Sequence, residues 1–441
     1  MPTGTNSVYA LPTMISEIRI QNFKSILELT LKPGRVTVLI GENGSGKSNI
    51  LEAIAFAAGA AANKLDNEFL ANRGIRVAED TWMRSAFPEG EDAQKNVPKN
   101  REAEYIRLAV KGTDPEPVFE CSVYAKKRRA DGSFIGWVVS APVWKKEVDE
   151  AFQQAAFVEE ITKALEELKT QQPGIVAKQA GALATQEART ELEQALRRTL
   201  AASKLRARKS AQLGERAGLL GLADFMIYQP ENTTLRTPPP ESAIQPLGTK
   251  GEGLIKLLQS FTDPKLNHQV LAMKESLRLF GWFEDFLAPD EAATSQARLQ
   301  LRDRWLAPDR AVFDQRSANE GFLYLLFYFA LLTSQRTPCF FALDNVDSAL
   351  NPKLCVTLMR KIAELAKQHK KQVICTTHNP AILDGLNLSD DEQRLYAVRR
   401  DSEGHTKVRR IHAPVPQPGE VPVRLSEAFV RGLIGGLPDN F

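Results

Sequence analysis

Val36-Thr37-Val38-Leu39-Ile40-Gly41-Glu42-Asn43-Gly44-Ser45-Gly46-Lys47-Ser48 is the stretch that decides the fold. An apolar, strand-like run leads into Gly41–Ser48, which fits the pattern GxxxxGK[ST]; residues 49–63, rich in Ala, Leu and Ile, read as the helix that must follow. The chemistry explains the residue types. Glycines let backbone N–H groups turn inward around phosphates, Lys47 neutralises the outer ones, the Ser48 hydroxyl ligates magnesium, and the helix dipole adds positive potential. Gly41, Asn43, Gly44, Ser45, Gly46, Lys47, Ser48 and Asn49 are therefore the expected ATP-binding residues, with ATP and Mg2+ as cofactors.

A second half of the site is read far downstream. Cys339-Phe340-Phe341-Ala342-Leu343 is an apolar run ending in Asp344, as for a buried parallel strand that delivers a carboxylate to the sheet edge, where it would orient the magnesium water shell. The two halves are too far apart for one compact unit, so structure must be inserted between them. Residues 149–209 carry repeated Glu, Gln, Ala, Leu, Lys and Arg with Pro173-Gly174 as the break, the composition of a helical hairpin. The expected organisation is an N-terminal lobe at 1–148, the hairpin at 149–209, a C-terminal lobe at 210–412 and a tail at 413–441.

Coarser signals fill in the lobes. Residues 16–20 and 35–40 read as paired strands around a Pro33-Gly34 turn, 104–112 and 118–125 as a meander, and 225–228 as a strand. Helical patterning runs from 251 to 287, and the final third alternates strand and helix as a parallel sheet does. The tail reads as a docking segment or a closing helix, amphipathic from Arg424 to Ile434.

With 441 residues, 43% hydrophobic and 25% charged, the composition is that of a globular protein. The 57 Lys and Arg balance 54 Asp and Glu to a net charge of +3, so bulk electrostatics do not announce a nucleic-acid binder. Four scattered cysteines without a CxxC pair point to a reducing compartment. The longest apolar run, Phe322–Leu332, is too short for a bilayer, and the expectation is a soluble, cytoplasmic protein without membrane partners.

Together these segments resemble the ABC ATPases of the RecF, OLD and SMC-like group; the likeness covers the phosphate loop and residues 225–412. It implies an α/β ABC-type P-loop ATPase head, a mixed and parallel sheet with helices, carrying an inserted helical hairpin. Two such heads clamp nucleotide between them. The resemblance further implies that Ser317, Asn319, Glu320 and Gly321 form the signature segment that reaches the nucleotide of the opposite protomer. From the residues alone, Ser317–Glu320 is also a capping box, and a helix start with free N–H groups suits a γ-phosphate as well. Asn351-Pro352 after Asp347-Ser348-Ala349-Leu350 resembles the dimer-contacting loop, His378 the switch histidine that senses the γ-phosphate, and Gln229 the magnesium-contacting glutamine. Metal contacts would thus come from Ser48, Asp344 and Gln229.

One position departs from the pattern. The family places a glutamate after the magnesium aspartate to polarise the attacking water, and this chain has Asn345. An amide can hold a water but cannot take its proton near neutral pH, so a general-base contribution of roughly 10²–10⁴-fold is missing. Asp347 is the nearest carboxylate that could substitute. The expectation is an ATPase that binds tightly and hydrolyses slowly, with Asn345, Asp347 and His378 as its catalytic set.

Asp344-Asn345-Val346-Asp347, Thr377-His378-Asn379-Pro380 and Gly435-Gly436-Leu437-Pro438 resemble the ATPases of bacterial anti-phage systems, such as the PtuA ATPases of Septu, whose partner is an HNH nuclease. This implies a homodimer or higher even oligomer through ATP-sandwiched heads, acting on a separate nuclease effector. The alternative is a RecF-like clamp on nucleic acid. Lys126-Lys127-Arg128-Arg129 and Arg197, Arg198, Lys204, Arg206, Arg208 and Lys209 are its basic groups, or else solvated faces. A transporter nucleotide subunit fits poorly, because its signature would be glycine-rich.

Overall fold

The strand that carries the phosphate loop does not pair with the strand before it. β1 (Ile15–Phe23) and β3 (Val36–Ile40), read from sequence as partners, lie in different sheets. The burial patterns explain the separation. β3 is buried at every position and needs cover on both faces, as a central parallel strand has, whereas β1 alternates buried and partly wet positions. The structure, a computed structural model, describes residues 14–85, 87, 105–113, 117–127, 134–140, 217–218, 220–237, 246–262, 266–288, 298–413 and 423–435.

β1 belongs to a five-stranded sheet of order β2 (Ile26–Leu31), β1, β4 (Tyr105–Gly112), β5 (Pro117–Lys127), β6 (Phe134–Ser140), with antiparallel pairing of β1 to β2 and β4 and of β4 to β5. β3 belongs to a six-stranded sheet of order β14 (Thr406–Ile411), β13 (Gln393–Arg400), β3, β12 (Gln372–Thr377), β11 (Phe340–Leu343), β7 (Ile227–Tyr228). Every pairing in it is parallel except β13 with β14 at the edge. A third sheet has the order β10 (Val312–Asp314), β9 (Gln300–Asp303), β8 (Phe283–Leu287).

The helix Lys47–Ala61 touches β1 and β5 of one sheet and β12 and β7 of the other. Covered from both sides, it is buried almost all round, which is why its sequence is Ala- and Ile-rich without a polar face. Gln372 ties the same two layers. Its side chain accepts from the Ile15 N–H at 2.9 Å and donates to the Ile15 and Gly34 carbonyls at 2.8 and 2.9 Å. On the other face of the parallel sheet, the helix Glu320–Thr333 is buried from Gly321 onward, while Pro352–Gln368 buries Cys355, Leu358, Met359, Ile362 and Leu365 at helical spacing.

Two further expectations change, and one left open is resolved. The helical reading of 251–287 holds for Leu254–Gln259 and Asn267–Leu277, but Phe283–Leu287 is strand β8. Phe283 and Phe286 are three residues apart, as on a helix; a register shift between Phe283 and Asp285 lets a strand bury both against the core. Of the strand read at 225–228, only Ile227–Tyr228 is paired. In the tail, the helix Leu425–Val430 buries Ala428 and Phe429, and Ser426 is anchored to Asp384 through its N–H at 2.9 Å and its hydroxyl at 2.7 Å, so this stretch closes the fold. The chain divides into Met1–Val139 with Arg216–Phe441, and Ser140–Glu215. The hairpin expected at 149–209 lies outside the described residues.

Candidate active site

The parallel strands end at one edge, and the phosphate loop, Asp344, Asn345, Asp347, His378 and Gln229 follow those ends, whereas Ser317–Gly321 stand at the start of the helix Glu320–Thr333. Ile40 pairs with Thr377, and Leu343 with both Cys375 and Tyr228. Gly41–Ser48, Asp344, His378 and Gln229 are thereby delivered to the C-terminal edge of the sheet, where open α/β folds bind ligands.

The phosphate loop has the conformation its letters require. Gly44 and Gly46 adopt φ of 79° and 104°, and the helix starts at Lys47 with Gly46 as its cap and no side chain on its first N–H groups. Those donors stay open to an anion. A Cβ on Gly41 would stand 2.2 Å from the Val398 carbonyl, and one on Gly46 would stand 2.1 Å from Thr406 Oγ1. The β13–β14 hairpin thus backs the loop at van der Waals contact. It also donates to the loop backbone: Arg400 Nε to the Gly44 carbonyl at 2.9 Å, and Thr406 Oγ1 to the Ser45 carbonyl at 3.0 Å. Ser25 Oγ, 2.7 Å from Thr406 Oγ1, accepts from Asn49 Nδ2 at 2.6 Å. The amide of Asn49, read as ATP-binding, is therefore engaged in the support of the loop.

Lys47 is buried and donates to the carbonyls of Gly41 and Glu42, both at 2.9 Å. Burial pushes its ammonium down to about 8, against the opposing pull of Asp344 and Glu42. One helical turn on, Glu52 is 2% exposed and neutralised by Lys24 and by Arg76 Nε at 2.5 Å, which fixes the helix under the loop.

Ser48 Oγ donates to Asp344 Oδ2 at 3.3 Å, joining the two halves of the site. Asp344 Oδ1 is bonded to Thr376 Oγ1, which also accepts from the Asn345 N–H at 2.9 Å. Asn345 has φ 52°, a left-handed conformation that Asn tolerates better than most residues. The segment after Asp344 turns, and Asp347 Oδ1 accepts from Thr377 Oγ1 at 2.6 Å. His378 follows at the strand end; partial burial and then the nearby Lys47 ammonium hold its imidazole below the usual value, with Asp347 and Asp344 opposing. It is a neutral ring at pH 7, able to donate one hydrogen bond. Gln229 is exposed just beyond β7, its N–H on the Thr249 carbonyl at 2.8 Å.

The segment expected to serve as the signature, Ser317–Gly321, is built differently from the capping box read in the sequence. The cap of helix Glu320–Thr333 is Asn319, whose Oδ1 accepts from the Phe322 N–H at 3.3 Å; Ser317 instead donates its N–H to Asp314 at 3.1 Å, and its side chain is exposed. A Cβ on Gly321 would meet Leu350 and the Ala349 carbonyl at 3.2 and 3.3 Å. The two segments expected to face an opposite head therefore lie against each other. Arg236 holds the turn before them, donating to the carbonyls of Gln315 at 3.3 Å and Ala318 at 2.8 Å, and to that of Arg316. Nothing in the sequence marks Arg236, Thr376 or Thr406; the role of each comes from partners distant in the chain.

The donor set suits magnesium. Ser48 and Asp344 offer adjacent hard oxygens, and among the described residues no group of three His, Cys, Asp or Glu side chains could hold a metal alone. That is the usual situation for Mg2+, which takes one or two protein ligands and completes its shell with phosphates and water. Ser48 and Asp344 would hold it, and the ion would neutralise phosphate charge.

Fold and site define the class: the chain has the fold of an ABC-type ATPase head, as SMC heads do, with a phosphate loop at the edge of its parallel sheet. Residues 14–86 match the RecF/RecN/SMC N-terminal domain, and residues 294–384 match an AAA domain described as putative AbiEii toxin, Type IV TA system. No curated protein matches the sequence. Among solved structures, an SMC head bound to the C-winged helix domain of ScpA is similar over 90% of this chain and 98% of its own, with 13% identity and a TM-score of 0.51, a likeness of fold. The Pyrococcus yayanosii Smc head with a coiled coil and joint matches over 95% and 98%, at 12% identity and a TM-score of 0.46. No helix among the described residues is long and apolar enough to cross a membrane.

Proposed function

We propose that this chain is a nucleotide-state switch: an ATPase that binds Mg2+·ATP tightly, hydrolyses it slowly, and dimerises head to head around it to control a nuclease effector in bacterial anti-phage defence. The observation that carries the slow-hydrolysis reading is the Asn345 position. An amide stands after the magnesium carboxylate, and its backbone is tied to Thr376 and Ser348. The nearest other carboxylate, Asp347, already accepts from Thr377. The contact between Gly321 and the Ala349–Leu350 turn supports the dimer reading, because it offers one continuous surface to a second head.

Sedimentation of the purified protein with and without Mg2+·ATP tests it. A shift to dimer in wild type, absent in Lys47→Ala, is expected; identical sedimentation in both would refute head-to-head closure. The effector arm is tested by purifying the chain together with the products of its flanking reading frames, one of which is expected to be a nuclease that copurifies. The RecF-like clamp makes the opposite prediction, duplex binding that falls steeply with salt and no copurifying nuclease. Its basic runs lie mostly outside the described residues; Lys126 is exposed at the end of β5.

A further inference from the structure

Thr376 is fully buried at the end of β12, between the two residues that decide the chemistry of the site. Its Oγ1 contacts both the Asp344 Oδ1 and, at 2.9 Å, the Asn345 N–H. The direction of these bonds is forced. A backbone N–H can only donate, so the hydroxyl accepts there; its single proton is left for the carboxylate, which when ionised can only accept. The other carboxylate oxygen, Oδ2, takes the Ser48 hydroxyl at 3.3 Å. Each oxygen of Asp344 therefore has its own partner, one from β12 and one from the helix of the phosphate loop. The same hydroxyl helps hold Asn345 at φ 52°, aided by Ser348 Oγ on the Asn345 carbonyl at 2.8 Å and by the Val346 N–H on the Thr376 carbonyl at 3.0 Å.

We propose that Thr376 is a positioning residue for the magnesium-binding carboxylate. It occupies Oδ1, leaves Oδ2 turned toward Ser48, and locks the backbone turn on which Asn345 stands. Hydroxyl and carboxylate then present a preset pair of oxygens to the cation of a nucleotide–magnesium complex. The inference rests on the reading of Ser48 and Asp344 as the magnesium pair, and adds the group that aims them. A valine in this place would match the shape but leave a half-buried N–H and a carboxylate oxygen without the Thr376 hydroxyl.

The test uses the full chain and a fluorescent ATP analogue, whose anisotropy reports binding as Mg2+ is titrated. Thr376→Val is expected to raise the Mg2+ midpoint by about 10–100-fold while leaving binding in EDTA unchanged, and Thr376→Ser to stay within about threefold of wild type. Asp344→Asn separates the two levels of the argument. If it shifts the midpoint and Thr376→Val does not, the positioning role is wrong and the magnesium pair stands. An Asp344→Asn midpoint equal to wild type would remove the pair itself and the proposal with it. Should Thr376→Val fail to fold, Thr376→Cys, similar in size and a weak donor, decides: a raised midpoint supports the role and a wild-type midpoint overturns it.

Discussion

Ser48 and Asp344, 296 positions apart in the chain, meet at 3.3 Å, hydroxyl on carboxylate. The parallel pairing that leads from β3 through β12 to β11 brings them together. The site is therefore a property of the finished sheet, and its two halves respond differently to substitution.

Gly46→Ala and Gly44→Ala separate steric from conformational cost. Both glycines have positive φ, but an added Cβ at Gly44 meets nothing within 4 Å, whereas at Gly46 it meets Thr406 Oγ1 at 2.1 Å. Gly44→Ala should cost about 1–2 kcal/mol of stability. Gly46→Ala should in addition displace the loop and lose nucleotide binding, as read by calorimetric titration with ATP.

Asn319→Ala and Ser317→Ala distinguish a cap from a nucleotide contact. Asn319 caps the helix, so its loss should cost about 1 kcal/mol in chemical denaturation. Ser317 is exposed, and Ser317→Ala should leave stability within about 0.5 kcal/mol of wild type while abolishing ATP-dependent dimerisation.

Arg236→Ala should loosen the turn at 315–318, the proposed signature, without touching the nucleotide pocket of its own head. The guanidinium holds carbonyls of Gln315, Arg316 and Ala318. ATP binding to the monomer is expected to stay near wild type while dimerisation weakens, and hydrogen exchange at 315–322 should accelerate.

Lys47 and Lys371, the latter buried just before β12 with its ammonium on the Thr337 and Pro338 carbonyls at 2.8 and 3.1 Å, give a pH signature. Burial pushes each down to about 8 from 10.5, so between those values the unfolded chain binds more protons than the native one. The unfolding free energy should then rise with pH across the window from about 8 to 10.5, and the burial cost is fully present below it. A polyphosphate beside Lys47 restores its proton. ATP binding at pH 8.5 should take up protons, seen as a buffer-dependent enthalpy that Lys47→Arg abolishes.

How much of this was legible in the sequence follows from how local each signal is. Gly41–Ser48 could be read because the glycines, lysine and serine act within one turn of chain, and Phe340–Asp344 because a strand buried on both faces is written as a continuous apolar run. Pairing between distant segments left no such mark. β1 and β3 look like neighbours and are not, and the bulge in β8 disguises two core phenylalanines as a helical repeat. Asn345 was visible as a missing glutamate, but its left-handed backbone and its tie to Thr376 depend on a strand packed beside it. For the same reason, Asn319 takes the cap that Ser317 promised: the turn held by Arg236 decides which residue stands at the helix start.

The central claim, a pocket that holds ATP because its general base is missing, is tested most directly by steady-state ATP turnover of wild type, Lys47→Ala and Asn345→Glu under saturating Mg2+·ATP. Wild type should turn over at about one per second or slower, and Lys47→Ala not at all. Asn345→Glu should be at least about tenfold faster than wild type, even though a left-handed glutamate costs about 1–2 kcal/mol of stability. Wild-type turnover of several per second, unchanged by Asn345→Glu and lost in Lys47→Ala, would contradict the account.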